Sequence, residues 1–114
     1  MDADRKNLVF AALADPTRRA MLQRLALGEA TVSELAAPFD VAQPTISRHL
    51  RVLEEAGLIR SGQDAQRRPR TLVVGGPLEE VDSWLAPFRA QWELRFDRLE
   101  HFLAKKKKRG PRRD

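Results

Sequence analysis

The sequence predicts a mostly α-helical domain with one small β-hairpin and a long last helix, and three observations carry that prediction. Residues 41–59, VAQPTISRHLRVLEEAGLI, place Ile46, Leu50 and Leu53 at helical spacing, with Pro44 in the first turn and Gly57 just past the last periodic residue. Residues 58–61 and 71–74 read as two short strands joined by the polar stretch 62–70. After residue 77, apolar side chains recur every three or four positions as far as Leu103, a stripe longer than a small domain needs for its own core.

Taken in order, residues 5–14 predict a first short helix with Leu8, Val9, Ala12 and Leu13 on one face and Phe10 beside it. Asp15 is placed to cap a second helix with Pro16 at its first position. Leu22, Leu25 and Ala26 face inward along it up to Leu27, and Gly28 stops it. Thr31 with Glu34 forms a capping box opening a third helix that buries Val32, Leu35 and Ala36. Pro38 ends that helix early, because the residue before a proline is driven out of the helical region. The turn at 39–41 leads into the helix of 43–56, so the two form a helix-turn-helix. Gly75, Gly76 and Pro77 open the last helical region, within which Pro87 predicts a kink or a restart.

Charge is unevenly distributed. Seven of the 21 Lys and Arg residues lie in the last ten positions, KKKKRGPRRD, so the formal net charge of +5 belongs to that end and the rest is about neutral. We therefore expect one domain over residues 1–104, with no room for a second, catalytic one, and a disordered basic tail over 105–114, which has no apolar side chain to bury. Between residues 42 and 70, Arg48, Arg51, Arg60, Arg67, Arg68 and Arg70 outnumber Glu54, Glu55 and Asp64, the segregation that a DNA-facing surface requires. There is no cysteine, which excludes disulfides and thiolate metal sites. No apolar run approaches the roughly 20 residues that span a bilayer and MDADRKN is no signal peptide, so a cytoplasmic location and no membrane partner are expected.

The polar face of the central helix carries the chemistry. Gln43, Thr45, Ser47, Arg48 and Arg51 lie mainly off its apolar stripe and supply amide, hydroxyl and guanidinium groups of the kinds that read base edges and phosphates in a major groove. His49 stands between Ile46 and Leu53 at the edge of the core, and we expect a packed, hydrogen-bonded side chain there rather than a base reader. Nothing suggests catalysis: there is no thiol nucleophile, no Gly-rich phosphate loop and no plausible pairing of His with a carboxylate.

Gln43 to Leu50, QPTISRHL, followed by Leu53 to Leu58, LEEAGL, resembles the recognition helix of the ArsR family of winged helix-turn-helix repressors. FAALADPTRR, residues 10–19, is similar to that family's approach to its second helix, and the likeness spans most of residues 8–103. It implies a winged helix-turn-helix with a long C-terminal dimerisation helix, acting as a homodimeric repressor that reads a two-fold symmetric operator. DNA contacts are then implied at Gln43, Pro44, Thr45, Ser47, Arg48 and Arg51, and at Arg67, Arg68 and Arg70 near the tip of a basic wing. The implied dimer seam comprises Leu8 of the first helix with Leu78, Val81, Leu85, Phe88, Trp92, Phe96 and Leu99 of the last.

Three departures from the family pattern stand out. Ala42 occupies the N-cap where the family usually has Ser, a loss on the order of 1 kcal/mol, although free N–H groups there suit a phosphate. The second strand has none of the family's tyrosines. Where many members bind metals, SELAAPF has no thiolate and the last helix has only Asp97, Glu100 and His101, too few for a closed site, so no metal and no cofactor is expected. Two other functional classes remain beside the sequence-specific regulator: a non-specific DNA-coating protein relying on the basic tail, and a winged-helix protein-interaction module.

Overall fold

The computed structural model describes residues 3–62 and 68–109, as five helices and one hairpin among those residues. They follow in the order α1 (Ala3–Leu13), α2 (Pro16–Leu25), α3 (Val32–Ala36), α4 (Gln43–Glu55), β1 (Ile59–Ser61), β2 (Arg70–Leu72) and α5 (Pro77–Arg109). By contact the chain divides into two units, residues 1–80 and 81–114.

Local chemistry sets most of the element ends in the first unit. Asp15 caps α2, its Oδ1 accepting from the Arg18 N–H at 3.1 Å, with Pro16 in the first turn. Thr31 and Glu34 form a reciprocal capping box at the start of α3. That helix closes at Ala36, two residues before Pro38, as the proline requires. At the end of α4, Leu58 N–H reaches Leu53 O at 3.0 Å and Gly57 N–H reaches Glu54 O at 2.9 Å, with Gly57 at φ 75°. This is a Schellman closure, and it demands the left-handed backbone that glycine adopts without a Cβ penalty.

The core of this unit lies where α1, α2 and α4 pack together and against the hairpin. Val9 and Ala12 from α1, Met21, Leu22 and Leu25 from α2, and Ile46, Leu50 and Leu53 from α4 are all buried. No polar or charged residue is buried among those described, so the core is held by apolar burial worth about 25 cal/mol per Å². β1 and β2 pair antiparallel with Ile59 opposite Leu72 and Ser61 opposite Arg70. Ala30, just before α3, bridges to Arg70 through both backbone bonds, at 2.7 and 3.1 Å, and so joins the approach to the helix-turn-helix to the second strand of the hairpin.

The structure corrects several expectations. α2 ends at Leu25 rather than Leu27; Ala26 and Leu27 are exposed, and Met21 takes the inward position instead. β2 begins one residue before the expected strand and ends two residues earlier, at Leu72. The 33-residue α5, about 50 Å long at helical rise, has no restart at Pro87. A proline costs the helix the bond to the carbonyl four residues back, here Ser83, an exposed position where water can replace it. The helix also continues through residues 105–109, where a disordered tail was expected to begin. Lysine is a good helix former, and cations at a helix C-terminus meet the negative end of the backbone dipole. Residues 110–114 of that tail lie outside the described residues.

In the second unit α5 presents a broad apolar face. Trp84, Phe88, Trp92, Phe96, Leu99, Phe102 and Leu103 are all exposed, Phe96 at 66%. The Trp84 and Phe88 rings lie against each other, tilted by 40°, with centroids 4.9 Å apart. Both Trp84 and Phe102 escaped the sequence reading, which followed the three-and-four step through Leu85. At 3.6 residues per turn each stands about 40° to one side of Phe88, so plotting every residue around the helix axis would have found them. Among the described residues no helix is long and apolar enough to cross a membrane.

Candidate nucleic-acid interface

α4 is built as a two-faced rod. Ile46, Leu50 and Leu53 fall on one stripe and are buried. Gln43, Pro44, Ser47, Arg48 and Arg51 are exposed, and Thr45 sits at the edge of the face, partly covered. Gln43, Ser47, Arg48 and Arg51 make no side-chain hydrogen bond or ion pair with another described residue, so their donors are available to an external partner. The N-cap Ala42 has extended backbone and no side-chain bond, which leaves the first N–H of the helix without a capping oxygen.

Two polar contacts fix this helix on its flanks. On one, Arg18 of α2 donates from Nε to Ala12 O at 2.8 Å and from Nη2 to Ala11 O at 3.0 Å, and its Nη1 lies 3.1 Å from His49 Nδ1. Arg19 donates to Leu13 O at 2.9 Å. The two arginines after the Asp15 cap thus satisfy the last carbonyls of α1, the groups that a helix end leaves unpaired. His49 is a half-buried, bonded residue, as expected. Asp15 lies at the same corner, its carboxyl held below the usual range first by the Arg18 backbone N–H, against an opposing effect of burial, with the Arg18 guanidinium and the Thr17 backbone N–H adding to the lowering.

On the other flank Glu54 in the last turn of α4 accepts from Ser61 Oγ of β1 and pairs with Arg70 of β2. Arg70 therefore departs from its expected place as a phosphate contact. Its side chain is only 13% exposed, and its Nε stands 3.1 Å from Glu54 Oε1, at ion-pair distance although not aligned for a hydrogen bond. A second donor of the same guanidinium goes to Arg68 O. The sequence showed a basic cluster and nothing to distinguish the one arginine turned inward, because its partner is a strand and a loop away. Arg68 is exposed, with φ 40°. Arg67 lies outside the described residues.

Of the expected dimer residues, Leu8 on α1 and Phe88, Trp92, Phe96 and Leu99 on α5 are exposed, while Leu78, Val81 and Leu85 are partly covered. Among the described residues no three of His, Cys, Asp and Glu converge as metal ligands.

Comparison with known proteins gives these observations a family. Residues 13–62 match the model of a helix-turn-helix domain. The chain is 36% identical over 85 residues to the transcriptional repressor SdpR of Bacillus subtilis, covering 72% of this chain and 90% of that one. It superposes on the crystal structure of an ArsR family transcriptional regulator with a TM-score of 0.69 and 46% identity, over 78% of this chain and 97% of the other. A homodimeric winged helix-turn-helix DNA-binding domain from Mycobacterium bovis, solved in solution, matches with a TM-score of 0.58 and 28% identity over 86% of this chain and 84% of its own. These relatives are regulators rather than enzymes. The chain belongs to the ArsR family of winged helix-turn-helix transcriptional regulators.

Proposed function

We propose that this protein is a homodimeric, sequence-specific transcriptional repressor that sets α4 of each protomer in the major groove of a two-fold symmetric operator. The observation that carries the reading is the exposed, internally unengaged set Gln43, Ser47, Arg48 and Arg51 on one face of a helix whose other face is buried. An amide and a guanidinium on one exposed face match the bidentate edges of adenine and guanine. Arg48 and Gln43 read bases; Thr45, Ser47 and Arg51 contact bases or phosphates beside them, and Pro44 packs at the groove edge. The wing contributes Arg67 and Arg68 to phosphates, while Arg70 braces the wing from within.

Dimerisation is supported by the apolar face of α5, where seven large side chains, each about half exposed, would in water forgo roughly half of the 1.5–3 kcal/mol that full burial is worth. Leu8, exposed on α1, is a further candidate contact with a second protomer. The relative from Mycobacterium bovis is a homodimer, and SdpR is a repressor. Such a protein works in the cytoplasm, beside the DNA that it reads.

Competition binding tests the reading. A duplex enriched by the protein from random DNA should be displaced by itself at a concentration about 10³-fold or more below that of a scrambled duplex, the usual span of specific over non-specific binding. Equal displacement by both would leave a DNA-coating protein, and no binding to either would leave a protein-interaction module.

A further inference from the structure

The Arg18 guanidinium, carried on α2, links two other helices to its own. Nε and Nη2 donate to Ala12 O and Ala11 O in the last turn of α1, and Nη1 faces His49 Nδ1 on α4 at 3.1 Å. A guanidinium carries donors only, so Nδ1 must be the acceptor and the ring proton must sit on Nε2. Nε2 makes no hydrogen bond to a described residue and is not among the buried unpaired atoms, so it opens to solvent. The ring is held at one nitrogen and free at the other.

This contact supplies what the packing beneath it lacks. Beneath it the α1, α2 and α4 interface is packed from apolar side chains such as Val9, Ala12, Ile46, Leu50 and Leu53, and apolar burial sets no direction. A rigid planar fork bonded to two carbonyls of α1 does set one. Arg48, the leading candidate for base readout, immediately precedes His49 and stands about 100° from it around the axis, so fixing the ring fixes the angle at which Arg48 is offered.

We propose that Arg18 is a positioning residue for DNA binding: it holds His49 as the Nε2–H tautomer and thereby fixes the rotation of α4 against α1. The inference rests on the DNA-reading role of α4 proposed above. Two measurements on the full chain test it. The long-range proton–nitrogen spectrum of the imidazole should show Nδ1 bare and Nε2 protonated in the wild type, and a mixture of tautomers in Arg18→Gln. In parallel, His49→Asn places an amide oxygen near the position of Nδ1 and keeps the acceptor, whereas His49→Gln reaches instead to the position of Nε2. On the duplex enriched by the wild type, the Asn variant should bind within about twofold of wild type and the Gln variant about tenfold more weakly per half-site, the worth of one lost hydrogen bond. Both variants should still unfold in one cooperative transition well above the assay temperature, so that the loss of binding is read on folded protein. A wild-type ring protonated at Nδ1, or equal loss of binding in the Asn and Gln variants, overturns the proposal while DNA reading stands. A wild type that enriches no duplex overturns both.

Discussion

Arg70 on the second wing strand and Glu54 in the last turn of the recognition helix lie 3.1 Å apart, Nε to Oε1, and so tie two candidate DNA-contacting elements into one piece. Ser61 adds its hydroxyl to the same carboxylate, and the Ala30 bridge holds the Arg70 backbone from the other side. Substituting Glu54→Ala or Arg70→Ala should each lower stability by about 1–2 kcal/mol, since either leaves a charged, partly covered partner behind. The double variant should cost clearly less than the two single costs added together. Denaturant unfolding of the three variants measures this, and strict additivity would mean that the two side chains do not interact.

What the sequence disclosed and what it hid divide along a physical line. Asp15, the Thr31–Glu34 box, Pro38 and Gly57 act on backbone groups within a few residues, so their consequences could be read from spacing alone. Ile46, Leu50 and Leu53 were legible because helical period and burial coincide there. The inward turn of Arg70 and the three-helix grip of Arg18 depend on partners brought together only by the fold. Pro87 and the lysine run misled because local rules count a penalty, whereas a long helix can absorb one lost bond and favours cations at its end.

Acidification should weaken the corner around the second helix. Asp15 has a folded pKa below its unfolded value, so its contribution is complete above about pH 4 and is lost as pH falls through the folded value. Asp15→Ala should cost about 1 kcal/mol at pH 7 and less at pH 3, whereas Asp15→Asn, which still caps, should cost little at either. Thermal unfolding across that pH range checks the sign, and a cost in Asp15→Ala that grows on acidification would contradict it.

Trp92→Asp places a carboxylate in the exposed apolar face of the last helix, where Trp92 is 47% exposed. A dimer that buries this face should dissociate at micromolar concentration and lose operator binding in step, while the winged unit keeps its helical circular dichroism. Sedimentation velocity measures the first effect; a wild type that sediments as a monomer at that concentration would remove the basis for the seam.

The basic end should act through phosphates. Each phosphate neutralised adds about 0.9 to the slope of log affinity against log salt, so deleting residues 105–114 should flatten the slope by several units in the dimer. Operator and random-sequence affinities should fall by similar factors, because phosphate contacts carry no sequence information. A salt series with both duplexes decides, and an unchanged slope would make this end inert toward DNA.

Selection from a pool of random duplexes, run in parallel with the wild type and Arg48→Ala, bears most directly on the central claim that the exposed face of the recognition helix reads DNA sequence. The wild type should enrich inverted repeats whose half-sites are centred about 10–10.5 base pairs, or a multiple, apart. Arg48→Ala should bind those sites about 1–3 kcal/mol more weakly per half-site and lose its preference at one position in each. Enrichment of no repeat by the wild type, or an unchanged preference in Arg48→Ala, would contradict the claim.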